Sequence, residues 1–229
     1  MKTLMFFLFL PFVAWSQTSG ESKTIRSAIY FQSGFHLSDF KKINETLKDS
    51  GYAELSSMSS SKGFGYQLMI NQWILNGSFY KIMQCKENAD EACSHINFNS
   101  YNLGFGYSLL KKENILFFPM IELGRNKTEF FIADNEIPEQ AMLNYLTGSP
   151  NVTQVTRFNL SSTLSLNFDA FFPLRKSGQT KLLAGIKAGY QINLTEGTWY
   201  EHEDEVKLSN GPKTNPVGFF GMFKLGFCF

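Results

Sequence analysis

The stretch Phe158-Asn159-Leu160-Ser161-Ser162-Thr163-Leu164-Ser165-Leu166-Asn167-Phe168-Asp169-Ala170-Phe171-Phe172 is two lists interleaved. One holds Phe158, Leu160, Ser162, Leu164, Leu166, Phe168, Ala170 and Phe172. The other holds Asn159, Ser161, Thr163, Ser165, Asn167 and Asp169, with Phe171 last. Successive side chains of a strand point to opposite faces, so this alternation predicts a strand with one apolar and one polar face. The same period runs through Val217–Phe229, through Leu182–Leu194 and through Tyr101–Leu109. Helical periodicity is nearly absent.

Working outward, the pattern predicts eight strands, at about 25–37, 62–71, 73–84, 95–109, 115–132, 155–172, 181–195 and 215–229. The connections after the second, fourth and sixth are short. Those after the first, third, fifth and seventh are longer and polar, about 38–61, 85–94, 133–154 and 196–214. Long loops at one end and tight turns at the other are the plan of a transmembrane barrel. Within the first long loop, Phe40, Ile43 and Leu47 recur at helical spacing, which predicts a short helix between Asp39 and Gly51. The fold class expected is all-β: an eight-stranded antiparallel up-and-down transmembrane β-barrel.

The face assignment rests on composition. The chain has 229 residues, 24 of them Phe, yet its mean hydropathy is only −0.16. Charged residues make up 18% and the formal net charge is +1, so there is no electrostatic footprint for nucleic acid. The polar strand faces carry Asn, Ser, Thr, Gln and Gly, with few charges, whereas a water-facing wall is rich in Lys and Glu. Arg26, Glu122, Asp169, Lys187 and Lys224 fall on those faces and nearly cancel, as charges in a closed interior must. They are expected to form an interior charge network near the short turns. Thirteen Phe fall on the apolar, lipid-facing side, and Trp73, Tyr107, Phe117, Phe172 and Phe229 stand where an interfacial aromatic girdle belongs.

The N-terminus predicts export. An apolar run, Leu4–Trp15, follows Lys2 and ends in Ala14-Trp15-Ser16, the small-x-small pattern of a cleaved signal peptide. Residues 1–16 are read as that peptide and 17–229 as the outer-membrane barrel domain. Cys85 and Cys93 bracket the polar stretch 86–92 and are the candidate disulfide of an exported chain. Closing so short a loop contributes about 2–3 kcal/mol in the chain-entropy picture.

The signal peptide, the eight alternating strands, the sorted loops and the ending Phe227-Cys228-Phe229 together resemble the small outer-membrane β-barrels of Gram-negative bacteria, the OmpA/OmpX-like group. The segments Pro119–Gly124 and Asn210-Gly211-Pro212 look like pieces of such barrels. The resemblance implies residence in the outer membrane, contact with outer-membrane lipid, and handling by the barrel-assembly machinery. In that group the terminal aromatic, with another two residues before it, is the assembly signal, here Phe229 and Phe227. Lys224 stands where the group usually has Gly. A resemblance of this kind implies fold and place, not an activity.

Two further motifs touch chemistry. His36-Leu37-Ser38 is similar to the His/Ser pair of outer-membrane lipid A deacylases, but parity turns His36 inward whereas those enzymes expose the pair to lipid. Tyr200-Glu201-His202-Glu203-Asp204-Glu205 concentrates acid in the last long loop, without a Gly-turned cation loop. The expectation is a non-catalytic barrel with no cofactor or metal, whose four long loops serve envelope structure, adhesion or an extracellular partner. The alternative is a narrow solute or ion pore. A lipid-modifying enzyme and a soluble lipocalin-like barrel are the remaining readings.

Overall fold

The computed structural model describes residues 25–49, 53–87, 93–112, 114–133, 152–174, 180–201, 206–208 and 218–229. The expected signal peptide, most of the acidic run after Tyr200, and Asn210-Gly211-Pro212 lie outside the described residues.

Eight long strands form the wall: β1 (Ile25–Leu37), β2 (Met58–Ile70), β3 (Trp73–Glu87), β4 (Cys93–Tyr107), β6 (Ile115–Ala133), β7 (Val152–Pro173), β8 (Lys181–Asn193) and β11 (Phe219–Cys228). Each pairs antiparallel with its neighbours in this order, and β1 pairs with β11, so the sheet closes without an edge. Short strands β5 (Leu110–Lys112), β9 (Trp199–Glu201) and β10 (Val206–Leu208) are accessories. Helix α1 (Lys41–Asp49) stands in the first long loop, where Phe40, Ile43 and Leu47 foretell it.

The registers give the shape. From Phe117 the hydrogen-bonded row runs through Phe168, Ile186, Phe223, Ser33, Lys62, Lys81 and Asn99, and returns to β6 at Lys127, ten residues further along. With ordinary strand spacings that stagger tilts the strands about 40° from the axis. Each residue then climbs about 2.5 Å.

The wall is apolar outward. Phe223 is 72% exposed, Leu103 68% and Leu164 62%, while Glu122, Asp169 and Gln191 facing inward are at most 1% exposed. From Phe172 and Phe229 below to Ile192 above, the outward apolar band is about 25–28 Å tall, the thickness a bilayer core requires. At the short-turn rim Trp73 stacks on Phe105 (centroids 5.0 Å) and meets Tyr107 edge-on (4.9 Å). Elsewhere on the same rim Phe172 and Phe229 are exposed and Phe117 is half-exposed.

Several boundaries differ from the sequence reading. β2 starts at Met58, inside the expected first loop, because Met58, Ser59, Ser60 and Ser61 pair with Leu37, His36, Phe35 and Gly34 of β1 despite lacking apolar alternation. β3 and β4 extend to Glu87 and Cys93, shortening the third connection to residues 88–92. In that ladder Cys85 lies opposite His95 and Cys93 opposite Glu87, so the two cysteines are diagonal rather than directly paired; their side chains lie outside the description. β9 and β10 form a ribbon within the expected seventh loop, and β9 extends the sheet along β7. The turn between β2 and β3 is Asn71-Gln72, with Asn71 at φ 56°, a conformation Asn tolerates better than most non-glycine residues.

Candidate functional site

The lumen is built in layers. Nearest the short turns is an apolar floor that includes Ala28, Met69, Ile74, Leu116, Phe118, Phe171, Leu183 and Cys228. Inward apolar residues at this end were masked in the sequence because both faces of each strand end are apolar there.

Above the floor lies the charge layer. Lys187 pairs with Glu122, and Lys224 approaches Asp169 at 2.5 Å. All four side chains are at most 4% exposed. Neutral side chains add further bonds: Asn76 Nδ2 donates to Glu122 Oε1 (3.1 Å), Gln67 Nε2 donates to Asp169 Oδ2 (3.2 Å), and Asn167 Oδ1 accepts from Lys224 Nζ (3.2 Å). Tyr30 Oη donates to Asn76 Oδ1 (2.6 Å), which ties the layer to the floor. Gly104 and Gly185 leave the space: a Cβ at Gly104 would lie 2.6 Å from Glu122 Cγ, and one at Gly185 2.2 Å from Asp169 Oδ1. Charges paired in this way, with neutral donors beside them, are what a low-dielectric interior tolerates.

Arg26 departs from the expected network. It is half-buried at the short-turn mouth, opposite Met69, and belongs to neither ion pair. The reason is height: it precedes Ala28 of the floor by two residues, so the floor separates it from the charges.

The next layer is aromatic. Tyr80, Phe98, Phe220, Ile82 and Met222 cluster, and Tyr80 Oη donates to Gln191 Oε1. The ring of His36, fully buried, is stacked between Tyr80 (centroids 4.8 Å) and Phe220 (5.3 Å). Neither of its ring nitrogens has a hydrogen-bond partner among the described residues. His36 thus points into the lumen, as its parity requires, and Ser38, two residues on, is buried with its N–H donating to Ser57 O (2.7 Å). The lipid-facing His/Ser arrangement is not reproduced.

The long-loop end carries a cap. Phe40, Ile43, Leu47 and Leu55 pack on Ile96, Phe130 and Trp199. Asn44 fastens the segment after α1: its Nδ2 donates to Leu55 O and its Oδ1 accepts from Leu55 N, both at 2.8 Å. Gln84 reaches from β3 to the backbone of Ser56 and to Ser59. Arg157 lies over Trp199 at 5.7 Å. Only the helical spacing in the first loop was legible beforehand; Trp199 as its floor was not.

The described residues thus form an edgeless eight-stranded antiparallel β-barrel, apolar outside and with its ion pairs inside. Solved structures of similar shape are such barrels. They include the attachment invasion locus protein Ail of Yersinia pestis in complex with the heparin analogue sucrose octasulfate (17% identity, 90% of this chain and 99% of that one, TM-score 0.44). Neisserial surface protein A is also similar (10% identity, 91% and 98%, TM-score 0.47), as is OprG of Pseudomonas aeruginosa (12% identity, 92% and 98%, TM-score 0.44). No protein-family model and no curated protein sequence matches the chain. Likeness at this level transfers no residue's role.

Proposed function

We propose that the chain is a non-catalytic integral outer-membrane barrel whose working surface is its long-loop end. There the loops maintain the envelope, adhere, or meet an extracellular partner. One observation carries this reading: among the described residues, buried side chains reach into the lumen at successive levels, as the apolar floor, the paired charges, the aromatic layer and the α1 cap. Eight strands leave room for side chains rather than a water column, and here the side chains occupy it. A lumen occupied in this way leaves the outer wall for lipid and the loop end for partners.

Phe227 and Phe229 support the assembly-signal reading. Both point outward and are half-exposed, at the seam where Phe229 and Ser27 exchange backbone hydrogen bonds of 2.9 Å. They stand accessible to an assembly machine while β11 awaits closure against β1.

The test is conductance. The purified chain, shown to be folded by its faster gel mobility before boiling, is added to a planar bilayer. The proposal expects no unitary steps above the bare-lipid baseline. Reproducible steps from the folded species would overturn it in favour of the narrow pore.

A further inference from the structure

The outer wall is not apolar all the way round. On the hydrogen-bonded row that encircles the barrel, Lys62 of β2 stands directly opposite Lys81 of β3. Ser33 flanks the pair on β1 and Asn99 on β4, and all four point outward. The pair sits about 16–19 Å above the Phe117 rung. At that height the neighbouring strands β1 and β11 still present Phe35 (41% exposed) and Phe219 (64%). The cations therefore enter the upper edge of the apolar band on one side only.

Like charges directly across an antiparallel pair repel. Nearby cations are answered: Lys127 pairs with Glu129 at 2.7 Å, and Arg125 lies 4.8 Å over the Phe158 ring. Lys62 and Lys81 have no ion-pair partner among the described residues. The outward neighbours along their strands are Ser60 and Phe64, and Phe79 and Met83, none of them acidic. Two like-charged ammonium groups side by side at a lipid boundary, with hydroxyl and amide groups beside them, form a cationic patch that suits an anion.

We propose that Lys62 and Lys81, with Ser33 and Asn99, bind the phosphate of an anionic lipid headgroup in the leaflet at the long-loop end. The proposal rests on the membrane reading above. A phosphate between the two ammonium groups accepts charge-assisted hydrogen bonds from both, while its acyl chains lie over the apolar rows beneath, Phe64 and Phe79. Repulsion then becomes attraction, so the sign of the pair's contribution depends on the lipid.

The experiment compares the parent with Lys62→Gln/Lys81→Gln, and with Lys41→Gln/Lys48→Gln, which removes equal charge from exposed positions on α1. Each is folded into vesicles of phosphatidylcholine alone and of phosphatidylcholine with phosphatidic acid, and melted by gel mobility. In phosphatidylcholine alone the wall variant should be at least as stable as the parent. Phosphatidic acid should raise the parent and the α1 variant by about 4–8 °C, and leave the wall variant unmoved. An equal rise in all three overturns the site, since surface charge alone then suffices. Inorganic phosphate reproducing the rise in phosphatidylcholine vesicles overturns the lipid as ligand. A chain that inserts into neither vesicle overturns the membrane reading instead.

Discussion

Lys187→Met keeps most of the side chain's length and deletes its charge. Glu122 is 1% exposed and Lys187 4%, so the partner left behind is a carboxylate in the lumen, out of reach of bulk water. Removing one member of a buried pair costs about 3–5 kcal/mol, against about 0–1 for an exposed pair. Two features here favour the lower end. Asn76 still donates to Glu122 at 3.1 Å, and Lys224 remains in the same layer, paired with Asp169. A loss of about 3 kcal/mol lowers the melting midpoint of a chain this size by about 6–12 °C. The assay follows the fraction of unboiled protein with compact gel mobility against temperature, in phosphatidylcholine vesicles. Adding Glu122→Gln removes the stranded charge while an amide still bonds Asn76, so the double variant should recover more than half the loss. A Lys187→Met midpoint within about 2 °C of the parent would refute the buried-pair reasoning, and so would a double variant no better than the single.

Gly65→Ala should destabilise by about 1–3 kcal/mol, because its Cβ would lie 2.1 Å from the buried Tyr30 ring that holds Asn76; urea unfolding in vesicles measures it. Asn44→Ala removes both bonds to Leu55 and should speed limited proteolysis between residues 38 and 57, with compact gel mobility retained. Phe227→Ala with Phe229→Ala should reduce the fraction assembled in cell membranes far more than it lowers the midpoint of protein refolded in vitro. Equal effects in both settings would remove the assembly role.

The wall was legible because period two is a direct consequence of strand geometry, and eight repetitions of it leave little choice of architecture. The α1 helix was legible for the same reason, since Phe40, Ile43 and Leu47 can share a buried face only at helical spacing. Which Lys meets which carboxylate was not. Glu122 and Lys187 lie 65 residues apart on strands separated by β7, and only the register stagger from β6 through β7 to β8 brings them together. Height separates Arg26 from the network it joins on paper. Phe118, Phe171 and Leu183 of the floor were hidden because both faces are apolar at the strand ends, where alternation carries no sign. The β9–β10 ribbon is three residues a side, too short for any period to register.

Leu164 tests the inside-out barrel most directly. It is 62% exposed and lies mid-strand, inside the apolar band. On a water-facing surface Leu164→Arg would change stability by no more than about 0.5 kcal/mol. Against hydrocarbon it should cost about 2–4 kcal/mol in urea unfolding from phosphatidylcholine vesicles. A loss in that range is the expected result. A Leu164→Arg chain as stable as the parent would contradict the assignment of this face to lipid.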